Sequence, residues 1–386
     1  MKNNDMELQY SNFEGSRFNL LLIITVLKEY STRERPLSIG EIVKFISDDC
    51  NRKIDKSSVD RILTEACEKF CFNTIEEDKP NFAAEYFGFS FHRYYKKNEE
   101  YIEVMPYEEF QENTIKYYYI ENILNPSEIK MLADAVEVYS YITAKETENI
   151  INKLNKLQAK KYRLKYVVYR ETAIKRENLN AKNAINIFEA ISKFRNIIEK
   201  QEKAKIIYGV YNEEKELVER NGYPQVISPY HLMWSNGYYY LIAKSSKHDE
   251  LVNYRVDRFI DVKEMRGSKI ELFNDDEHKF TNSNGSFSST KYREKHAIMY
   301  SGKIEDIILE CRNYMVNTLI DSFGSEIRIE KVDEGWIRVR LKSSVDGVVL
   351  WATQYCSDCR AIDPPILVSK VKEKLKKGIE NYIDEM

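Results

Sequence analysis

No segment of this 386-residue chain is apolar for the roughly 18 residues that a membrane-spanning helix needs. The apolar run from Leu20 to Val26 is short and broken by Thr25, so it reads as a core helix, and no membrane partner is expected. The polar, acid-bearing start carries no secretory signal, so the six cysteines are expected to be reduced thiols of a cytoplasmic protein. Common catalytic signatures are missing as well. The five histidines include no His-x-x-x-His spacing, and there is neither a Walker loop nor a Gly-x-Ser-x-Gly elbow. Asp and Glu are abundant, yet no spacing supports the alternative of a metal-dependent nuclease. Cys356-x-x-Cys359 lacks the second Cys/His pair of a tetrahedral site. Cys67-x3-Cys71 does not supply it, because Cys67 lies on a buried helical stripe of another predicted domain. Neither metal nor cofactor is therefore expected, and the chain is not read as an enzyme. A formal net charge of -3 excludes a uniformly basic nucleic-acid coat but allows local basic patches. There is no internal repeat.

What is present reads as an α+β multidomain chain, since its length exceeds what one core usually supports. Three helical signals come first: the apolar stretch Phe18 to Leu27, a helix opened by Ser38 and Glu41 at capping-box spacing, and a third capped by Asp55 or Ser57. In the third, Val59, Ile62, Leu63, Ala66, Cys67 and Phe70 form one buried stripe, while Ser57, Arg61, Thr64 and Glu65 face outward. The pattern then changes to period two at Phe87, Phe89 and Phe91. It turns at Lys96 to Glu100 and returns from Tyr101 to Met105, which predicts a hairpin. Three helices and a hairpin are the order of a winged helix-turn-helix, whose third helix enters the major groove of double-stranded DNA. Lys56, Ser57, Ser58 and Arg61 are the candidate DNA-binding residues, with Arg61 the base-contact candidate.

A mainly helical connector follows, opened by Asn125-Pro126. Between Lys153 and Arg176 nine Lys/Arg face one acid, Glu171, a run open to reading as a solvated helix face or as a phosphate contact. From Lys205 to Met265 short strands alternate with turn residues, the sharpest being Ser235-Asn236-Gly237, and predict a small barrel. The polar stretch Thr281 to Thr290 reads as a linker. The last hundred residues mix expected strands, Trp336 to Leu341 and Val348 to Thr353, with helices, the final one from about Leu367.

The barrel segment resembles the WYL-domain family of bacterial regulators, which couple a winged helix-turn-helix to an Sm-like sensor barrel and often a C-terminal extension. Ser228-Pro229-Tyr230-His231-Leu232 is similar to the family's Pro-Tyr-x-Leu strand, Gly237-Tyr238-Tyr239-Tyr240-Leu241 to its Gly-x-Trp-Tyr-Leu, and Tyr254-Arg255-Val256-Asp257-Arg258-Phe259 to its Phe-Arg-Leu-Asp-Arg-Ile. Ser58 to Leu63 is similar to the family's recognition helix. Trp351 to Tyr355, with Pro364-Pro365, is similar to its extension. Tyr239 replaces the namesake Trp, Val252 stands where many members have Arg, and Ile62 stands where Asp is common. The expected organisation is thus a DNA-binding domain over 1–110, a helical connector over 111–202, a WYL barrel over 203–270, a linker over 271–290 and a C-terminal α+β extension over 291–386.

The resemblance implies a ligand-responsive transcriptional regulator, homodimeric on its operator, with a nucleic-acid fragment, nucleotide or other anionic ligand held by Tyr230, His231, Tyr240, Arg255 and Arg258. Arg suits phosphate, and Tyr and His offer stacking faces with polar tips. The plain structural reading pairs Arg255 and Arg258 with Asp257, Asp261 or Glu264 and uses the aromatics as filling. A further alternative is an accessory protein that binds nucleic acid through its WYL domain and modulates an effector.

Overall fold

The computed structural model describes residues 18–70, 88–104, 109–111, 114–139, 141–164, 184–220, 223–247, 250–271, 280 and 287–383, with only the backbone at 68–70 and 297. Phe87, Met105, Cys71, most of the basic run beyond Leu164 and most of the expected linker lie outside these residues. The chain divides into two compact units, Met1–Ala173 and Ile174–Met386.

In the first unit α1 (Asn19–Tyr30), α2 (Ile39–Cys50) and α3 (Lys56–Phe70) pack around Ile23, Leu27, Ile42, Ile46, Val59 and Leu63, all fully buried. Ser38 and Glu41 form the expected capping box at the start of α2. The hairpin of β2 (Phe89–Lys97) and β3 (Glu100–Val104) turns through Asn98 and Glu99, both at positive φ, as a two-residue turn requires. Phe89 and Phe91 point into the helical core.

One boundary moves. β4 (Lys116–Asn122) pairs with β2 along its whole length and with the two-residue β1 (Leu37–Ser38), giving the order β1-β4-β2-β3. The division expected at residue 110 therefore cuts a sheet. Two helices with capping boxes follow, α4 (Pro126–Val138) behind Asn125 and α5 (Ala144–Asn155) behind Thr143. The described part of the basic run is drawn onto α1 and the turn behind it. Arg163 pairs with Glu29, Lys161 lies 3.8 Å from Glu34, and Lys160 sits over the Tyr30 ring. These cations are largely compensated within the protein, which favours the structural reading for this stretch.

The second unit opens with α6 (Ile187–Glu199), assigned by sequence to the connector but packed on the sheet that follows it. That sheet comprises β5 (Glu202–Tyr211), β6 (Leu217–Glu219), β7 (Gln225–Ser235), β8 (Tyr238–Ser245), β9 (Leu251–Arg255) and β10 (Phe259–Lys269). Its order is β10-β5-β7-β8-β9, with β6 on β5. β9 and β10 are joined by the single 3-10 turn Val256–Arg258 but do not pair, so the expected barrel is an open, curled sheet. Phe194 of α6 meets Phe259, which also touches Tyr208 and Tyr254, and these rings fill the curl. Asn236 and Gly237, both at positive φ, make the tight β7–β8 turn as anticipated.

After α7 (Ser289–Lys295), which takes up the end of the expected linker, the chain runs β11 (Ile304–Arg312), α8 (Val316–Phe323), β12 (Arg328–Asp333), β13 (Trp336–Ser344), α9 (Val345–Gln354), β14 (Cys359–Asp363) and α10 (Pro365–Ile383). The sheet order β12-β13-β11-β14 makes this a split βαβ arrangement with its helices on one face. Val348 to Thr353, expected as a strand, is helical. A short continuous apolar run is ambiguous between a buried strand and a buried helix. Here Val345, Val348, Val349 and Ala352 bury one helical face against the sheet.

Candidate functional site

On α3 the sequence-predicted residues divide. Asp55 caps the helix by accepting the Ser58 N–H at 2.8 Å and the Ser58 hydroxyl at 2.7 Å, and it also takes the Ser57 hydroxyl. These hydrogen bonds, the Ser57 one foremost, hold its carboxyl well below the usual carboxylate range. Ser57 and Ser58 are therefore cap partners in the free protein. Asp60 accepts the Lys116 ammonium at 2.8 and 3.0 Å, tying α3 to β4. Lys56 and Arg61 remain exposed, and among the described residues Arg61 has no ion-pair partner. The outward face thus offers two cations at one end of a helix clamped at its cap and its middle.

In the second unit the strand register brings most of the predicted ligand residues to one face. Tyr240 stands opposite Met233 on β7 and Arg255 on β9, and His231 stands opposite Ile242. This face packs on Phe280, Tyr292 and Met299. Asn253 fastens it, accepting the Tyr292 hydroxyl at 2.8 Å and donating to the Met299 carbonyl at 2.8 Å.

Arg255 makes a two-pronged bond to Asp257, Nε to Oδ1 at 3.1 Å and Nη2 to Oδ2 at 2.9 Å, with its guanidinium 3.6 Å from the centre of the Tyr238 ring. Asp257 is buried and Arg255 largely so, at 5% and 15% side-chain exposure. The carboxylate pairing foreseen as the plain alternative is the one observed. Arg258, on the 3-10 turn, has a buried Nε with no hydrogen-bond partner among the described residues. Burial raises the Tyr240 phenol, with the Arg255 and Arg258 charges opposing. Burial likewise pushes Tyr208 up to about 12, opposed chiefly by Arg258. Arg255, Asp257, Arg258, Tyr208, Tyr238 and Tyr240 therefore form one electrostatic cluster.

Tyr230 and His231 lie apart from it. Tyr230, at a bulge in β7, donates to the Glu271 carbonyl at 2.9 Å, and burial pushes its phenol up to about 12. His231 stacks on Phe287 at 4.7 Å between ring centres, and burial lowers its pKa. Its folded-state pKa lies below the ordinary imidazole value of about 6.5, so the unfolded chain takes up the proton first. The sign follows: stability is kept above about pH 6.5 and lost as pH falls toward the lower folded pKa. The melting temperature of the wild type is expected to drop more between pH 7 and pH 5.5 than that of His231→Gln, and equal drops would contradict a buried neutral imidazole.

Neither of the two cavities lined by described residues borders Arg255. A cavity of ≈ 410 Å³ lies between His231, Met233, Trp234 and Tyr239 on one side and Ser289, Thr290 and Arg293 of α7 on the other. A second, of ≈ 360 Å³, adjoins Arg293 and includes Ser235, Glu294, His296 and Asp321. Of the predicted residues only His231 borders either. Tyr239 carried a signal, since it occupies the namesake position of the resembled motif, but nothing in the local sequence marks Arg293. Cys359 faces Cys311 across β14 and β11, both buried, while Cys356 is exposed. No group of three or more His, Cys, Asp or Glu positioned for a metal occurs among the described residues. Nor is any helix among them long and apolar enough to cross a membrane.

Residues 189–264 match the family model of the WYL domain. The match begins within α6, so the domain includes the helix that packs on its sheet. No curated protein matches the chain. Among solved structures it is similar to proteasome accessory factor B/C (PafBC) of Arthrobacter aurescens, at 13% identity and a TM-score of 0.26 over 69% of this chain. That match spans only 39% of the PafBC chain. It is also similar to a CRISPR Cas-related protein, at 14% identity and a TM-score of 0.32, over 96% of this chain and 86% of the other.

Proposed function

We propose that this chain, which carries a WYL domain over residues 189–264, is a DNA-binding transcriptional regulator rather than an enzyme. In this reading the first unit is a winged helix-turn-helix that presents α3 to the major groove. The observation that carries it is the outward face of α3, where Lys56 and Arg61 are exposed on a helix held by the Asp55 cap and the Asp60–Lys116 bond, next to a β-hairpin. A helix held at two points, with a guanidinium that has no ion-pair partner among the described residues, suits bidentate recognition of a guanine edge. Two copies would set two such helices on half-sites about one helical turn apart. A monomer in sedimentation, free and on DNA, would remove that part.

Genomic fragments recovered by the purified protein supply the probe. At fixed salt, Arg61→Ala is expected to weaken binding to a recovered fragment by about 1–3 kcal/mol, with an unchanged melting temperature. Equal affinity of mutant and wild type would take α3 out of the interface. The WYL domain is the ligand-responsive part: an anionic ligand there shifts operator affinity by preferring one arrangement of the protein, on the usual scale of about 1–3 kcal/mol.

A further inference from the structure

The cleft between β7 and α7 has a composition unlike its surroundings. On the sheet side Trp234 and Tyr239, a cross-strand pair with ring centres 6.1 Å apart, form an aromatic wall. Trp234 is 46% exposed, a large ring bordering the cavity. On the other side α7 is pinned by Tyr292, fully buried and stacked on His296 at 3.9 Å. That anchoring leaves Ser289, Thr290 and Arg293 at the cleft. Arg293 is exposed, and among the described residues it is the one guanidinium or ammonium lining the cleft and has no ion-pair partner. No carboxylate is among the described residues that line this cleft, whereas Glu294 and Asp321 line the adjoining cavity that Arg293 also borders. An anion is therefore attracted on one side of Arg293 and repelled on the other. His231 adds no charge near neutral pH, because burial holds its pKa down.

We infer that Arg293 is the anion-binding residue of the WYL-domain ligand site, and that the ligand is a planar aromatic monoanion stacked on Trp234. The inference rests on the proposed ligand response and narrows its ligand class. Its volume of ≈ 410 Å³ falls in the ordinary range of small-molecule sites. One cation matches one negative charge, and a guanidinium fork meets a phosphodiester or a carboxylate equally well. A flat π-system covers Trp234, and the hydroxyls of Ser289 and Thr290 offer polar contacts to its rim.

The test uses the full chain, with binding read by tryptophan fluorescence quenching and by calorimetry. Adenosine 3′,5′-cyclic monophosphate and 1-naphthoate are the two monoanions, one phosphodiester and one carboxylate. Adenosine and 1-naphthalenemethanol are their neutral counterparts. At least one monoanion is expected to bind, about tenfold or more tighter than its neutral counterpart, and which one binds identifies the anion's source. Arg293→Gln should lose about tenfold or more in that affinity, Trp234→Ala should lose affinity for the neutral body as well, and the exposed control Lys263→Gln should bind as wild type. Absence of binding by both monoanions at millimolar concentration overturns the inference. So does wild-type affinity in a folded Arg293→Gln protein. Operator binding measured on the same samples separates the two readings. If Arg293→Gln loses the ligand while no genomic fragment binds wild type, the regulator fails and the ligand site stands. If fragments bind but Arg293→Gln keeps its ligand, only the ligand site fails.

Discussion

Asp257→Ala is expected to destabilise the second unit by about 3–5 kcal/mol, the range for removing one partner of a buried ion pair. The cost comes from the charge left behind. Arg255 is mostly buried, holds both carboxylate oxygens of Asp257 and cannot give up its proton. With Asp257 gone, its guanidinium has the Tyr238 ring face at 3.6 Å but loses its carboxylate. Sulfate should recover part of the loss by occupying the vacated position, whereas Arg255→Leu combined with Asp257→Leu should be more stable than Asp257→Ala alone. Urea unfolding of these variants measures the effect, and a loss under about 1 kcal/mol would mean that the pair behaves as an exposed one. The same pair bears on the proposed ligand response. For Arg255 to hold a ligand anion it must exchange Asp257 for it, so Arg255 responds to an anion only at the cost of breaking its present bond.

The second large effect is expected at Trp351. It is 2% exposed, its indole N–H donates to the Ser322 hydroxyl at 2.9 Å, and its ring lies edge-on to Phe323 at 5.0 Å. Trp351→Ala removes a large ring from the centre of the βαββαβ core and should cost about 3–5 kcal/mol. Trp351→Phe should cost less, since it keeps most of the ring area but loses the hydrogen bond and leaves Ser322 to solvent or a new partner. Near-neutral behaviour of Trp351→Ala in chemical denaturation would contradict the packing of α8 against α9.

The legible parts of this protein were those set by local chemistry. Ser38 with Glu41, Asp55, and Asn125-Pro126 announce helix starts because the capping side chains bond to backbone within three residues. Asn236-Gly237 announces a turn because positive φ is inexpensive there. The WYL segment was readable because its strand motifs keep a fixed spacing. The misreadings share a cause. Val348 to Thr353 has an apolar run whose partner face decides between strand and helix. β4 could not be placed in the first sheet without knowing that β2 would pair with it.

The site follows the same division. Arginines and aromatics at 230–258 were evident from residue type and order, since each motif is a short stretch of strand. Which arginine is compensated was decided only when Asp257 met Arg255 and when Arg258 Nε was left without a partner among the described residues. Arg293 depends on contacts more distant still, because an aromatic wall from β7 and β8 and a helix about fifty residues onward become one cleft only through packing. Sequence by itself determined the helix caps, the tight turn and the WYL strands, because backbone hydrogen bonds and φ preferences act within a few residues. Tertiary structure decided the domain boundary, the open edge of the curled sheet and the position of the cavity, because burial and charge compensation depend on residues that meet only after folding.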